Sequence, residues 1–371
     1  MKSIVLSLVG TLLLCVATDT VAQKQTTLRK AFKKSFLIGV AINTAQMNGR
    51  DSLAKSLIAN EFSSISPEND LKWSVIHPQP NEYKFETPDK YVALGEANKQ
   101  FVIGHTLVWH SQVPNWVFVD DNKALVTKEV LYQRMKEHIT TVAGRYKGRI
   151  GGWDVVNEAL NDDGTMRNSR YYQIAGDEFI LKAFEYAHAV DPKAELYYND
   201  YNMYKPEKVK GAVRIVTMLK EKGLRVDAIG MQGHWHLDTP TLEEIENSIL
   251  TISKAGVKVV ITELDISVLP NPQRNASSNI SDVTENSVDI NPYTKGLPDS
   301  VQVALANRYK AIFELFNKHK DKIGRVTFWG LQDGNSWKNN FPARGRTDYP
   351  LLFDRDYKPK KAYYAIIKTV R

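Results

Sequence analysis

Short apolar runs rich in β-branched residues alternate with longer amphipathic stretches along most of the chain. The strand-like runs lie at 36–42, 62–66, 101–105, 151–157, 195–199, 228–232, 257–263 and 325–329. Those around Val155 and Val260 read as buried parallel strands, since both faces would have to be covered. Helical periodicity appears between them, at 128–146, 177–190, 206–222, 242–255 and 301–319. Eight strands with intervening helices predict an α/β protein built as a single (β/α)8 TIM barrel. An open doubly wound sheet is the alternative, but the Gly-rich phosphate loop that often marks one is missing. The stretch 270–300, rich in Asn, Ser and Pro, follows the seventh strand and predicts an enlarged loop on the face where strand-to-helix loops open.

Two carboxylates interrupt this pattern. Glu158 sits in Trp153-Asp154-Val155-Val156-Asn157-Glu158-Ala159, and Glu263 lies in Ile261-Thr262-Glu263-Leu264-Asp265. A lone buried charge is costly, so each needs a partner or a chemical task. In a barrel, the C-terminal ends of the strands are where catalytic groups gather. Two glutamates so presented suit glycoside hydrolysis, one as acid/base and one as nucleophile or base. A pair of structural, salt-bridged glutamates is the bland alternative.

The N-terminus changes the expected compartment. Lys2, the apolar stretch 4–16 and Thr20-Val21-Ala22 form a signal-peptide pattern, with cleavage expected after Ala22 and a barrel domain over 23–371. The chain is therefore expected to be secreted or periplasmic. Lipid attachment at Cys15 is a second reading, weakened because Leu14 is not the small residue that usually precedes such a cysteine. Cys15 is the only cysteine, so the mature chain would hold no disulfide and no thiolate site. No later segment reads as a membrane span. The formal charge of +7 survives cleavage, because Lys2 and Asp19 cancel. A solvated surface with a modest excess of lysine is the first reading of that charge; acidic polymers such as uronic-acid-bearing polysaccharides are a second, and nucleic acid has no basic run or recognition motif to support it. Asn275 and Asn279 match the glycosylation pattern, which recurs by chance.

The motifs around Glu158 and Glu263 resemble the two active-site signatures of family 10 glycoside hydrolases, the endo-β-1,4-xylanases. Pro67-Glu68-Asn69-Asp70-Leu71-Lys72-Trp73, Gly104-His105-Thr106-Leu107-Val108-Trp109-His110, Tyr198-Asn199-Asp200-Tyr201-Asn202, Gln232-Gly233-His234 and Trp329-Gly330-Leu331-Gln332-Asp333 resemble further motifs of that family, in the same order. The resemblance implies retaining cleavage of internal xylan bonds through a covalent glycosyl-enzyme, with neither metal nor organic cofactor. It makes Glu158 the acid/base and Glu263 the nucleophile, with His234 and Asp265 holding Glu263 and Asn157 binding the sugar 2-hydroxyl. The acid's pKa should be raised by burial and by the charge of Glu263.

The same resemblance implies that Glu68, Asn69, Lys72 and Gln112 hold the distal glycone sugar. Lys72, His105, Gln232 and Trp329 would surround the sugar at the cleavage point, with Trp337 above it. Tyr198 and Asn199 would begin the leaving-group side. Trp109 is a further aromatic contact, and Trp73 is read as structural. Xylan and xylo-oligosaccharides are the implied partners, and a monomer is expected. Rival readings are a related enzyme acting on β-glucan, a non-catalytic carbohydrate-binding barrel, and a metal-dependent hydrolase using His234 and His236, which share one side of an extended segment.

Overall fold

The computed structural model describes residues 26–270 and 285–370. The signal-peptide segment, Cys15, Asn275, Asn279 and much of the 270–300 stretch lie outside the described residues. Eight parallel strands close on themselves: β1 (Leu37–Ile42), β2 (Ser64–Pro67), β3 (Phe101–Trp109), β4 (Gly152–Asn157), β5 (Glu195–Asp200), β6 (Ala228–Met231), β8 (Lys258–Ser267) and β9 (Ile323–Phe328). Each pairs with its neighbour, β6 pairs with β8, and β9 returns to β1. This is the predicted (β/α)8 barrel.

The expected helices form at Lys128–Arg145, Glu178–Val190, Pro206–Glu221, Leu242–Lys254 and Asp299–Lys318. Their starts are chemically marked. Thr241 and Glu244 form a reciprocal capping box before Leu242–Lys254, and Pro206 begins its helix at the position where a missing N–H costs nothing. Ile245, Ile249 and Ile252 recur at helical spacing and are buried against the barrel. Burying such side chains stabilises by about 1.5–3 kcal/mol each.

Two strands run further than their hydrophobic runs. β3 continues to Trp109 and β8 to Ser267, with register shifts in both. A short strand the pattern did not predict, β7 (His234–His236), pairs with the end of β8 and aligns His234 with Asp265. It is separated from β6 by Gln232 and Gly233. Gly233 has φ +87°, a left-handed conformation that a side chain would strain. That turn lets one continuous segment serve the barrel wall and then its mouth.

The barrel interior changes character along its axis. Ile103, Tyr197, Ala228 and Val260 form a small apolar layer. Above it, buried polar side chains take over: His105, Asp154, Asn199 and Thr262. Such groups are tolerated there only when their hydrogen bonds are made.

Candidate active site

Glu263 is buried, and its surroundings are built from strands. Its Oε1 accepts a 2.9 Å hydrogen bond from Asn199 Nδ2, and its Oε2 lies 3.1 Å from His234 Nε2. His234 Nδ1 is 3.0 Å from Asp265 Oδ2, which also accepts from Trp337 Nε1 at 2.7 Å. Burial alone would lower the His234 pKa, but Asp265 and Glu263 outweigh it and raise it to about 9. The ring is therefore a cation at neutral pH, donating to both carboxylates. Asp265 is pushed up by burial but held below the usual carboxylate range by His234 and Lys338.

Asn199 is the buried hub under this carboxylate. Its amide also donates to Asn157 Oδ1 at 3.0 Å, and its own Oδ1 accepts from Thr262 Oγ1 at 2.6 Å. A Cβ on Gly230 would lie 2.3 Å from Asn199 Oδ1, so only glycine on β6 leaves room for that side chain.

Glu158 is held differently. It follows the end of β4, partly exposed, with φ +56°. Its Oε2 accepts from Trp109 Nε1 at 2.9 Å and its Oε1 from Gln232 Nε2 at 2.8 Å. Its N–H donates to Asn199 O at 2.8 Å, while the Glu263 N–H donates to Gln232 O at 2.7 Å. Asn199 and Gln232 thus each touch both glutamates, one through the backbone and the other through a side chain.

A second charged cluster borders the pair. Lys72, buried, donates to Asn69 Oδ1 at 2.9 Å and lies 4.9 Å from the Trp109 ring centroid. Burial lowers its pKa against the pull of Glu263, Glu158, Glu68 and Asp70. Burial also raises Glu68 to about 7 despite Lys72. His105 Nδ1 is 2.8 Å from Asp154 Oδ2, and its ring meets Trp329 edge-on at 5.3 Å. Trp329 and Trp337 are partly exposed, and Trp337 lies 4.8 Å from the His234 ring and stacks on Phe341 at 5.2 Å. Gln112 lies beyond β3 with φ +44°, its carbonyl accepting the Ser74 N–H. Trp73 is buried and stacked on His138.

With this geometry in place, the comparisons with known proteins agree on one family. The sequence profile described as Glycosyl hydrolase family 10 matches residues 27–369. The chain belongs to glycosyl hydrolase family 10. It is 46% identical over 359 residues to Endo-1,4-beta-xylanase A of Xylanibacter ruminicola, covering 97% of both chains. To an endo-1,4-beta-xylanase of Geobacillus stearothermophilus it is 39% identical, covering 92% of this chain and 97% of that one. Its fold matches a GH10 endoxylanase retrieved from a sugarcane soil metagenome with TM-score 0.90 at 46% identity, covering 92% of this chain and 99% of that one. A mutant structure in complex with xylotriose matches with TM-score 0.82 at 36% identity, with the same two coverages. The family 10 chain is a glycoside hydrolase.

Two expectations change in this enzyme. Tyr198 has no exposed surface, and its hydroxyl donates to Asp200 Oδ2, so it packs behind the site and offers no face to a sugar. Its position on β5 places it on the outer side of the barrel, opposite in direction to Asn199. Asn199 itself is fully buried beneath Glu263, as a support for that carboxylate. The second change concerns Glu158. Burial pushes its carboxyl up, but His110 in its protonated form, the Gln232 and Trp109 donors and the Lys208 ammonium outweigh that, and it lies below the usual range. The expected raised value is reversed because donors that favour the ionised form crowd both oxygens.

The sequence reading also missed supporting groups. Lys208 is fully buried, 2.9 Å from Asp200 and 3.3 Å from Asp162, with Nζ 3.2 Å from the Tyr201 ring centroid. Its signal was present: it shares helical spacing with buried Ala212, Ile215 and Val216, where a lysine is out of place. His110 is pushed down to about 4, chiefly by burial. Both ring nitrogens of His234 engage carboxylates, Nδ1 at Asp265 and Nε2 at Glu263, so neither is open to a metal shared with His236. Among the described residues, no group of three or more His, Cys, Asp or Glu side chains is arranged to hold a metal ion. No described helix is long and apolar enough to cross a membrane.

Proposed function

We propose that the enzyme is a retaining endo-1,4-β-xylanase that cleaves internal xylosidic bonds by double displacement. The observation that carries this reading is the sharing of Asn199 and Gln232 by both glutamates, which ties them to the same two strand ends. Retaining enzymes hold their carboxyls about 5–5.5 Å apart, whereas inverting ones leave room for water between. Glu263, held by Asn199 and His234, attacks the anomeric carbon. Glu158 protonates the departing oxygen, then takes a proton from water as the glycosyl-enzyme is hydrolysed. Because Glu158 sits below the usual carboxylate range, the sugar complex must favour its acid form; a bound glycosidic oxygen excludes water and offers the proton an acceptor. By the family resemblance, Trp329 and Trp337 are the residues expected to press where glucose would carry the hydroxymethyl group that xylose lacks, which would favour xylan over β-glucan.

Glucuronoxylan, arabinoxylan, carboxymethylcellulose and mannan test the substrate, with products resolved by length and the first-formed anomer followed by NMR. Xylo-oligosaccharides appearing first as β-anomers are expected. The α-anomer first would overturn retention, and release from cellulose or mannan instead would overturn the substrate. Export as a secreted or periplasmic protein rests on the N-terminal pattern, and a mature N-terminus at Gln23 is the expected sequencing result.

A further inference from the structure

Glu158 adopts a left-handed backbone conformation at φ +56°, which side chains other than glycine enter only at a cost and keep only when their surroundings impose it. Its N–H is tied to Asn199 O. The following backbone is held by one residue. Arg167 Nε donates to Glu158 O at 3.1 Å, the Arg167 N–H to Ala159 O at 2.8 Å, and Arg167 Nη2 to Leu160 O at 3.4 Å. Three consecutive carbonyls after the acid/base thus converge on a single arginine.

The same guanidinium reaches the next loop. Arg167 Nη2 donates to the Tyr201 hydroxyl, and its Cζ lies 5.8 Å from the Tyr201 ring centroid. Tyr201 directly follows Asp200, whose Oδ2 accepts the Leu160 N–H at 3.4 Å. An antiparallel bridge between Leu160 and Met166 closes the loop that brings Arg167 back to Glu158. No carboxylate lies in salt-bridge range of Arg167 among the described residues. Its donors go to neutral oxygens, which suits a planar fork used to set backbone geometry rather than to neutralise an acid.

We infer that Arg167 is a positioning residue for the general acid. It holds the left-handed turn at Glu158 so that the carboxyl faces the departing oxygen, while touching no reacting atom itself. The inference rests on the acid/base assignment of Glu158 made above. Replacing the Arg167 side chain would free the Glu158 and Leu160 carbonyls of the guanidinium, while the backbone bond to Ala159 O remains, and would let the turn relax; displacement of a catalytic group by about 1 Å can cost about 100-fold. The loss should fall on bonds whose cleavage needs protonation.

The test compares Arg167→Gln, Arg167→Lys and Glu158→Ala on aryl β-xylobiosides with dinitrophenol and unsubstituted phenol as leaving groups. For Arg167→Gln, kcat/KM should fall roughly 10- to 100-fold with phenol and only a few-fold with dinitrophenol, with little change in KM. Arg167→Lys should show the same dependence at smaller size, and it carries the comparison if the glutamine variant does not fold. An equal loss with both leaving groups, or none, would overturn the positioning role. If Glu158→Ala lacks leaving-group dependence, the acid assignment falls and this inference with it. If Glu158→Ala shows it and the Arg167 variants do not, only this inference falls.

Discussion

The two glutamates occupy opposite kinds of surroundings. Glu263 stands on a strand, buried, with Asn199 on one oxygen and His234 on the other. Glu158 stands past a strand end, partly exposed, in a left-handed turn held by loop residues and carbonyl contacts. In the proposed mechanism Glu263 is the nucleophile, which needs one position, and strands packed in a barrel supply it. An acid/base has to gain and lose a proton in each cycle, so it needs access to substrate and water, and a loop supplies that. The contrast suggests that rigidity was assigned by chemical task, with the backbone geometry of each group following from it.

The largest effect should come from Glu263→Ala. Turnover on polymer and on activated aryl glycosides alike should fall at least roughly 10⁴-fold, since no other group can form the intermediate. Retained activity on activated substrates in a folded variant would remove the asymmetry between the two glutamates. Glu158→Ala should be milder and selective, with xylan hydrolysis falling roughly 10²–10⁴-fold while the first step on dinitrophenyl glycosides is nearly spared.

Asn199→Ala probes the rigid side without touching the carboxylate itself. It leaves Thr262, Asn157 and Glu263 each short of a buried partner, so stability should drop by about 2–3 kcal/mol and kcat should fall on all leaving groups equally. A loss that depends on the leaving group would place Asn199 with Glu158 instead.

The last expected effect is a pH dependence of stability, which leaves the sequence unchanged. His234 is raised in the folded protein from 6.5 to about 9, so its contribution is complete below about 6.5 and is lost as pH rises through 9. The unfolding free energy should decline over that window by up to about 3 kcal/mol, and His234→Asn should flatten the decline. An unchanged slope in that variant would mean that the ring is not a cation between Glu263 and Asp265.

The barrel was readable because strand and helix runs differ in period, and each run buries the face that its pattern predicts. Glu158, Glu263, His234, Asp265 and Lys72 stood out as ionisable residues at strand ends or in motifs, and they meet in one site. Tyr198 was misplaced because the motif 198–202 alternates direction residue by residue, and membership of a motif does not say which side chain faces inward. β7 was missed because three residues carry no periodicity of their own; they are ordered by pairing with β8.

Sequence alone determined the fold class and the order of the eight barrel strands, and it singled out the two glutamates, because hydrophobic period and charge placement are local properties of the chain. Only the tertiary structure decided how each glutamate is held, in which direction the Glu158 and His234 pKa values move, and which carbonyls Arg167 restrains. Those depend on groups distant in the chain, such as His234 and Asp265 or Asn199 and Glu263, and on how much water remains between them. Burial and donor geometry exist only once the barrel has closed.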